Sequence, residues 1–193
     1  GAGAGASSIG ILLGSGSSGS TVKGLVINRF SLSGIRIEGG SGGNLITGNY
    51  LGTDTTGLLD RGNTKWGLDL EASGGNNVIG GGSAALRNVV SGNNLGGVSF
   101  NGATVTGNLL QGNYIGAGSD GTTAVGNSGY GGVLVLNGAS ATIGGVGAGL
   151  GNLIAYNTGR GLDVKLSTAT ILGNAFVGNS TLGIDLGDNG SVE

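Results

Sequence analysis

The chain has 193 residues, of which 49 are glycine, about a quarter against roughly 7% in ordinary proteins. Charged residues make up 9%, the net charge is −2 with a pI near 4.9, and histidine, cysteine, methionine and proline are all absent. These values exclude disulfides, thiolate metal sites and a histidine-based nucleophilic triad, and they offer no basic field to nucleic acid or an anionic membrane. Abundant glycine with little charge often marks disorder, but mean hydropathy is +0.23 and Val, Ile and Leu recur in evenly spaced groups, so a core can be buried. No stretch reaches the ~18 apolar residues of a membrane-spanning helix, and no membrane insertion is expected.

Taken in chain order, residues 1–9 (GAGAGASSI) are small and uncharged and read as an extended segment, able to add a strand to a neighbour. From Gly10 a Gly-apolar-x-apolar motif begins: GILL from Gly10, GIRI from Gly34, GLDL from Gly67, GVSF from Gly97, GVLV from Gly132, GLDV from Gly161 and GIDL from Gly183. The alternation is that of a half-buried strand, with Leu68 and Leu70 inward and Asp69 outward. Between these strands a second motif places an asparagine two residues before an apolar one, at Asn28, Asn49, Asn88, Asn113, Asn152 and Asn174. A third register places Asn63, Asn93, Asn127, Asn157 and Asn179 shortly before the next Gly-apolar strand. A longer period overlies these motifs, since GNYLGTDTTGLLDRGN from Gly48 matches GNYIGAGSDGTTAVGN from Gly112, an offset of 64 residues. Residues 188–193 read as a tail.

This pattern predicts an all-β fold, a right-handed parallel β-helix over residues 10–187. About seven coils are expected, with loop insertions in alternating coils. One coil cannot bury its apolar face, whereas stacked coils at about 4.8 Å hydrogen-bond through equivalent strands, giving a rod on the order of 30–35 Å long. Proline is incompatible with so much ladder. The two asparagine rows are expected to form structural ladders, each amide bonding its equivalent in the next coil. The segments STVKGLVINRF, GNYLGTDTTG, RNVVSGNN and GIDLG resemble the repeats of large secreted bacterial right-handed parallel β-helix repeat proteins, over roughly Ser20 to Gly187. The resemblance implies an extracellular or cell-surface setting and no single activity, since similar coils occur in adhesins, surface fibres and polysaccharide-degrading enzymes.

Chemistry is sparse. Asp69, Asp163 and Asp185 fall in one outward row, and Lys165 stands beside the last two. Two stacked carboxylates could share a proton or a cation; a solvated face with local ion pairs is the plainer expectation. Arg36 over Asp69 reads as a cross-coil salt bridge. The turns holding Asp54 and Asp120 only partly resemble calcium-binding repeats, so no cofactor is expected and calcium stands as the sole candidate. Trp66 and Tyr130 lie just before strands, where aromatics cover a turn or stack on a sugar. No amphipathic capping helix is readable at either end. The expected function is therefore a structural surface or filament module, not an enzyme, self-associating end to end. A carbohydrate-binding or carbohydrate-cleaving face and an adhesin segment meeting a cell-surface partner are the alternatives.

Overall fold

The computed structural model describes residues 1–187, and the tail expected at 188–193 lies outside them. The first coil is β1 (Ile11–Leu13), β2 (Thr21–Lys23) and β3 (Val26–Ile27); the second is β4 (Ile35–Ile37), β5 (Leu45–Thr47) and β6 (Tyr50–Leu51). The third is β7 (Trp66–Glu71), β8 (Val78–Gly80) and β9 (Val89–Val90), and the fourth β10 (Gly96–Asn101), β11 (Asn108–Gln111) and β12 (Tyr114–Ile115). The fifth is β13 (Gly131–Leu136), β14 (Ser140–Gly144) and β15 (Leu153–Ala155), and the sixth β16 (Arg160–Lys165), β17 (Thr168–Leu172) and β18 (Ala175–Val177). A seventh opens with β19 (Ile184–Leu186), and there is no helix among the described residues.

Each third strand pairs in parallel with its equivalent, giving one sheet of seven strands and two of six. The chain is thus a parallel β-helix with three faces. Residues 1–9 form no strand. Ser8 N–H donates to Ser31 Oγ at 2.8 Å, and Leu32 N–H donates to the Ser8 carbonyl at 3.0 Å, which seats this segment beside the residues following β3.

Parallel pairing in register stacks like on like. On the seven-stranded sheet Ile11, Ile35, Leu68, Val98, Val133, Leu162 and Ile184 form one inward column. The second sheet contributes Val22, Ile46, Ile79, Leu110, Ile143 and Ile171, and the third Ile27, Leu51, Val90, Ile115, Ile154 and Phe176. From Ile35 through Leu162 these residues are fully buried. Short strands of β-branched and leucine residues suit this geometry, because each side chain rests on its own kind one coil away.

The corners are held by amides. Between the second and third sheets, Nδ2 of Asn49 donates to Oδ1 of Asn88 at 3.1 Å, Asn88 to Asn113 at 2.9 Å, Asn113 to Asn152 at 3.0 Å and Asn152 to Asn174 at 2.8 Å. Between the third sheet and the next coil, Asn63, Asn93, Asn127, Asn157 and Asn179 are linked in the same way at 2.9 to 3.0 Å. Every acceptor oxygen also takes the backbone N–H of the preceding asparagine, as Asn113 Oδ1 takes Asn88 N–H at 3.2 Å. The second amide hydrogen goes to a strand carbonyl, as Asn88 Nδ2 donates to Ile46 O at 2.8 Å. Glycine is required where the chain passes over a ladder. Gly116 (φ +93°) and Gly80 (φ +87°) each lie against an asparagine amide and a backbone carbonyl, where a Cβ would collide.

Asn28 stands outside the first row. The register pairs Val26 with Tyr50 and Ile27 with Leu51, so the residue level with Asn49 is Leu25, whose N–H donates to Asn49 Oδ1 at 3.1 Å. Ile27, not Phe30, is the inward residue over Leu51, and Phe30 N–H donates to Asn63 Oδ1 at 3.1 Å, one corner further on. Asn28 instead donates its amide to the Thr53 carbonyl at 2.7 Å. The Asn-x-apolar spacing matches there by coincidence, because pairing across the preceding sheets fixes the register before the chain reaches that residue.

A third ladder occupies the remaining corner. Asn44 Nδ2 donates to Asn77 Oδ1 and Asn77 Nδ2 to Asn108 Oδ1, each at 2.8 Å, while Ser20 N–H caps the row on Asn44 Oδ1 at 2.9 Å. It stops where the register sets Ala141 opposite Asn108, and Nδ2 of Asn108 is left buried without a partner.

Two outcomes follow from these corners. Asn127→Ala should lower the free energy of unfolding by roughly 2–5 kcal/mol, because it strands the buried Asn93 N–H and breaks the amide links to Asn93 and Asn157, whereas Asn28→Ala should cost less than about 1 kcal/mol. Denaturant titration of the two variants separates them. Ala141→Asn supplies the acceptor that Asn108 lacks and should raise stability by about 1 kcal/mol in the same assay.

Candidate functional site

The outward row of the seven-stranded sheet runs Leu12, Arg36, Asp69, Ser99, Leu134, Asp163, Asp185, one residue per coil in direct register. It is not the solvated face that alternation alone suggests. Asp69, Ser99, Leu134, Asp163 and Asp185 are all buried. Arg36, Arg160 and Lys165 are ion-paired with the row's three aspartates, so a layer of charged groups lies outside the aliphatic core on this sheet.

At one end of the row, Arg36 collects three carboxylates. It pairs with Glu38 at 2.9 Å, with Asp69 at 3.9 Å and with Glu71. Arg36 over Asp69 is thus part of a cluster rather than an isolated bridge. Asp69 accepts a long hydrogen bond from Ser33 Oγ at 3.4 Å. Burial raises its carboxyl above the usual aspartate value, and the Arg36 charge and the Ser33 and Ser99 hydroxyls pull only partly the other way.

At the other end, Asp163 and Asp185 lie directly opposite one another on β16 and β19. The place between two stacked carboxylates, open to a proton or a cation on sequence grounds, is taken by a guanidinium. Arg160 Nε stands 2.6 Å from Asp185 and its Nη1 3.4 Å from Asp163, while Lys165 Nζ lies 3.2 Å from Asp163. Both Asp163 oxygens are buried without a hydrogen-bond partner, so the pairing there is ionic. Two cations balance two carboxylates, and among the described residues no three acids gather as metal ligands. Arg160 carried no signal in the sequence beyond standing three residues before Asp163, at the head of its strand.

The two ends are joined by an aromatic pair. Trp66 and Tyr130 stack with ring centroids 5.8 Å apart and planes 13° from parallel. They are 64 residues apart in sequence and two coils apart in space; Trp66 is level with Gly96 on the fourth coil and with Gly131, one residue past Tyr130, on the fifth. A Cβ on Gly96 would overlap the six-membered ring of Trp66, so the glycine is what lets the indole lie across the fourth coil. Trp66 is buried and Tyr130 is 45% exposed. A cavity of about 340 Å³ lies on the Trp66 side, bounded by Arg36, Lys65, Asp69, Glu71 and Leu134. Another of about 660 Å³ lies beyond Tyr130, bounded by Thr158, Arg160, Lys165, Thr181 and Leu182.

The two long connections after β6 and β12 are compact loops, closed by antiparallel bridges Thr53–Asp60 and Ala117–Ala124. Ser119 Oγ donates to the Thr56 carbonyl at 2.7 Å and Ser119 N–H to the Gly57 carbonyl at 3.0 Å, so one loop rests on the other. Asp54 accepts from Thr56 Oγ1 and the Leu58 and Leu59 N–H groups, and Asp120 from the Thr122 and Thr123 N–H groups and Thr123 Oγ1. These bonds hold both carboxyls below the ordinary aspartate value, Asp120 the more strongly, with the threonine hydroxyl the leading cause in each case. Turn closure employs Oδ1 of Asp54 and both carboxylate oxygens of Asp120.

No protein-family model matches this chain, and no curated protein or solved structure matches it either.

The raised carboxyl of Asp69 has a thermodynamic consequence of definite sign. Its folded form holds the proton more tightly than the unfolded chain does, so its contribution to stability is greatest below 3.8 and is lost as pH rises through the raised value. Asp69→Asn removes that dependence. Denaturation of both proteins across the acid range should show the variant gaining on the wild type as pH rises from below 3.8 towards neutrality.

Proposed function

We propose that this chain is a structural rod segment of a secreted or surface-exposed bacterial protein of the right-handed parallel β-helix repeat kind. The observation that carries the reading is the set of amide ladders at the corners, two running through to the sixth coil and a third from the second coil to the fourth, with links of 2.8 to 3.1 Å. A solenoid braced in this way resists local opening, because loosening one coil breaks buried hydrogen bonds to the coils on both sides. The exterior suits exposure to proteases. It offers 8 basic residues in 193 and lacks proline and cysteine, so tryptic sites are few and no redox-sensitive crosslink is involved.

The apolar columns reach the last described coil, where Ile171, Phe176 and Ile184 are only partly buried and pack against the core from one side. A further coil laid on β17, β18 and β19 would complete their burial. End-to-end docking of copies is the assembly we propose, with strand edges and apolar columns continuing across the junction. Sedimentation velocity and electron microscopy of the purified chain should show concentration-dependent rods that Phe176→Asp shortens. A chain that stays monomeric at every concentration overturns the assembly, and rapid internal cleavage by trypsin at native pH overturns the rigid-rod reading.

A further inference from the structure

We propose that the outward face of the second sheet, formed by β2, β5, β8, β11, β14 and β17, is the surface on which two copies of this chain pair side by side, their rods antiparallel about a two-fold axis. The pairing does not rest on the end-to-end docking proposed above.

The three faces of the rod are covered in different ways. The seven-stranded sheet carries eight ion-paired residues. The third sheet is covered by the chain's own loops. Its outward row includes Tyr50, Val89 and Tyr114; Gly57 lies against the Tyr50 ring, Gly121 against the Tyr114 ring, and the Arg87 guanidinium stands 4.0 Å from the Tyr114 centroid. Val89 is accordingly buried. The second sheet has neither cover. Its outward row is Thr21, Leu45, Val78, Leu109, Thr142 and Thr170, one residue per coil in direct register. From β5 to β17 its strands hold no charged side chain, and Leu45 and Leu172 are 37% and 38% exposed. A face without charge has nothing to select a charged partner, whereas an identical face matches it in neutrality, flatness and strand spacing.

Shape sets the orientation. The row is aliphatic from Leu45 to Leu109 and hydroxylated at Thr142 and Thr170. A two-fold axis perpendicular to the rod, passing between Val78 and Leu109, sets the first coil of one copy against the sixth of the other. Val78 then meets Leu109 at the centre, and Leu45 meets Thr142. The surface is hollowed there, with a cavity of about 150 Å³ between Ser140, Thr142, Thr168 and Thr170. That volume is below the roughly 300–1,000 Å³ of small-molecule sites and suits one aliphatic side chain. Leu45 of each copy therefore stands over the hollow of the other, twice by symmetry. Parallel rods would set leucine on leucine and leave the two hollows facing each other.

The area is of the right order. Six strands ~4.8 Å apart, about five residues wide at ~3.3 Å each, span about 29 by 16 Å. Pairing covers roughly 900 Å² over the two copies before side-chain relief is counted, close to the ~1,000 Å² at which specific association begins. A reversible dimer is the expected product.

The chain has no cysteine, so introduced thiols report without background. Leu45→Cys and Thr142→Cys chains are purified, mixed and treated with a bis-maleimide of about 10 Å reach, the distance between packed sheets. The mixture should yield a dimer linked from 45 to 142, identified by peptide mass, and either variant alone at least tenfold less. The Phe176→Asp chain, in which end docking is blocked, should retain a monomer–dimer equilibrium in sedimentation equilibrium. Adding Leu109→Lys should weaken that dimer tenfold or more, while adding Leu59→Lys, at a residue 53% exposed on the loop after β6, should leave it unchanged. Circular dichroism melts confirm that each variant is folded. The proposal is overturned if the mixture links no better than the single variants, if Leu45→Cys links to itself as readily, or if the dimer is absent or indifferent to Leu109→Lys. A 45–142 link in a chain that forms no rods counts against end docking alone.

Discussion

A carboxamide side chain carries the same donor and acceptor as a peptide unit, and at the corners of this solenoid it does the work that a strand ladder does on the faces. Between sheets the backbone must turn, its N–H and C=O groups leave the ladder, and buried groups left unpaired would each cost on the order of 1–3 kcal/mol. The asparagines meet that demand within the chain. Asn88 Oδ1 accepts from both the backbone and the amide of Asn49, and its own amide links onward to Asn113 and back to the Ile46 carbonyl. Because each link is to the neighbouring coil, the corners add along the rod as the strands do. Without them three narrow sheets could not close around a core only a few side chains wide.

That constraint also explains the composition. Glycine is abundant because a chain passing beneath an amide ladder has no room for a Cβ, as at Gly80 and Gly116, and because the turns beside it require positive φ. Charge is scarce because most positions face either the aliphatic columns or another coil. Eight of the 18 charged residues gather along the seven-stranded sheet, in the Arg36 and Arg160 clusters. Core and surface are thus one construction: the register that stacks Leu68 over Ile35 also stacks Asp69 over Arg36 and brings Trp66 within reach of Tyr130.

The 64-residue period links architecture to this surface. It separates Trp66 from Tyr130 by two coils, with Gly96 of the intervening coil level with Trp66, and it sets the two bridged loops one above the other, Ser119 against Thr56. A strictly uniform coil would align identical residues in every layer and offer one repeated texture. Alternation of coils gives the face a distinct centre, with an aromatic platform flanked by two ion-pair clusters.

By itself the sequence determined the parallel solenoid and its columns, because a period-2 strand repeated in register admits one inward set: Ile35, Leu68, Val98 and Val133 are legible from the Gly-apolar-x-apolar motif alone. The rows from Asn49 to Asn174 and from Asn63 to Asn179 are legible on the same ground. The row Asn44, Asn77, Asn108 carried a signal too, an asparagine ahead of LIT, VIG and LLQ, but it breaks off at Ala141 and so fails to repeat through the chain. Asn28 shows the opposite error, a matching spacing overruled by a register that the neighbouring strands had already set. Only the tertiary structure decided what lies over the outward row. Alternation says that Asp69, Asp163 and Asp185 point away from the core, but burial depends on long side chains reaching across coils, and their reach is set by gaps such as Gly96 that have meaning only once the coils are stacked. Arg160 between two aspartates and Trp66 behind Tyr130 are therefore facts of packing, unreadable from any one segment of the chain.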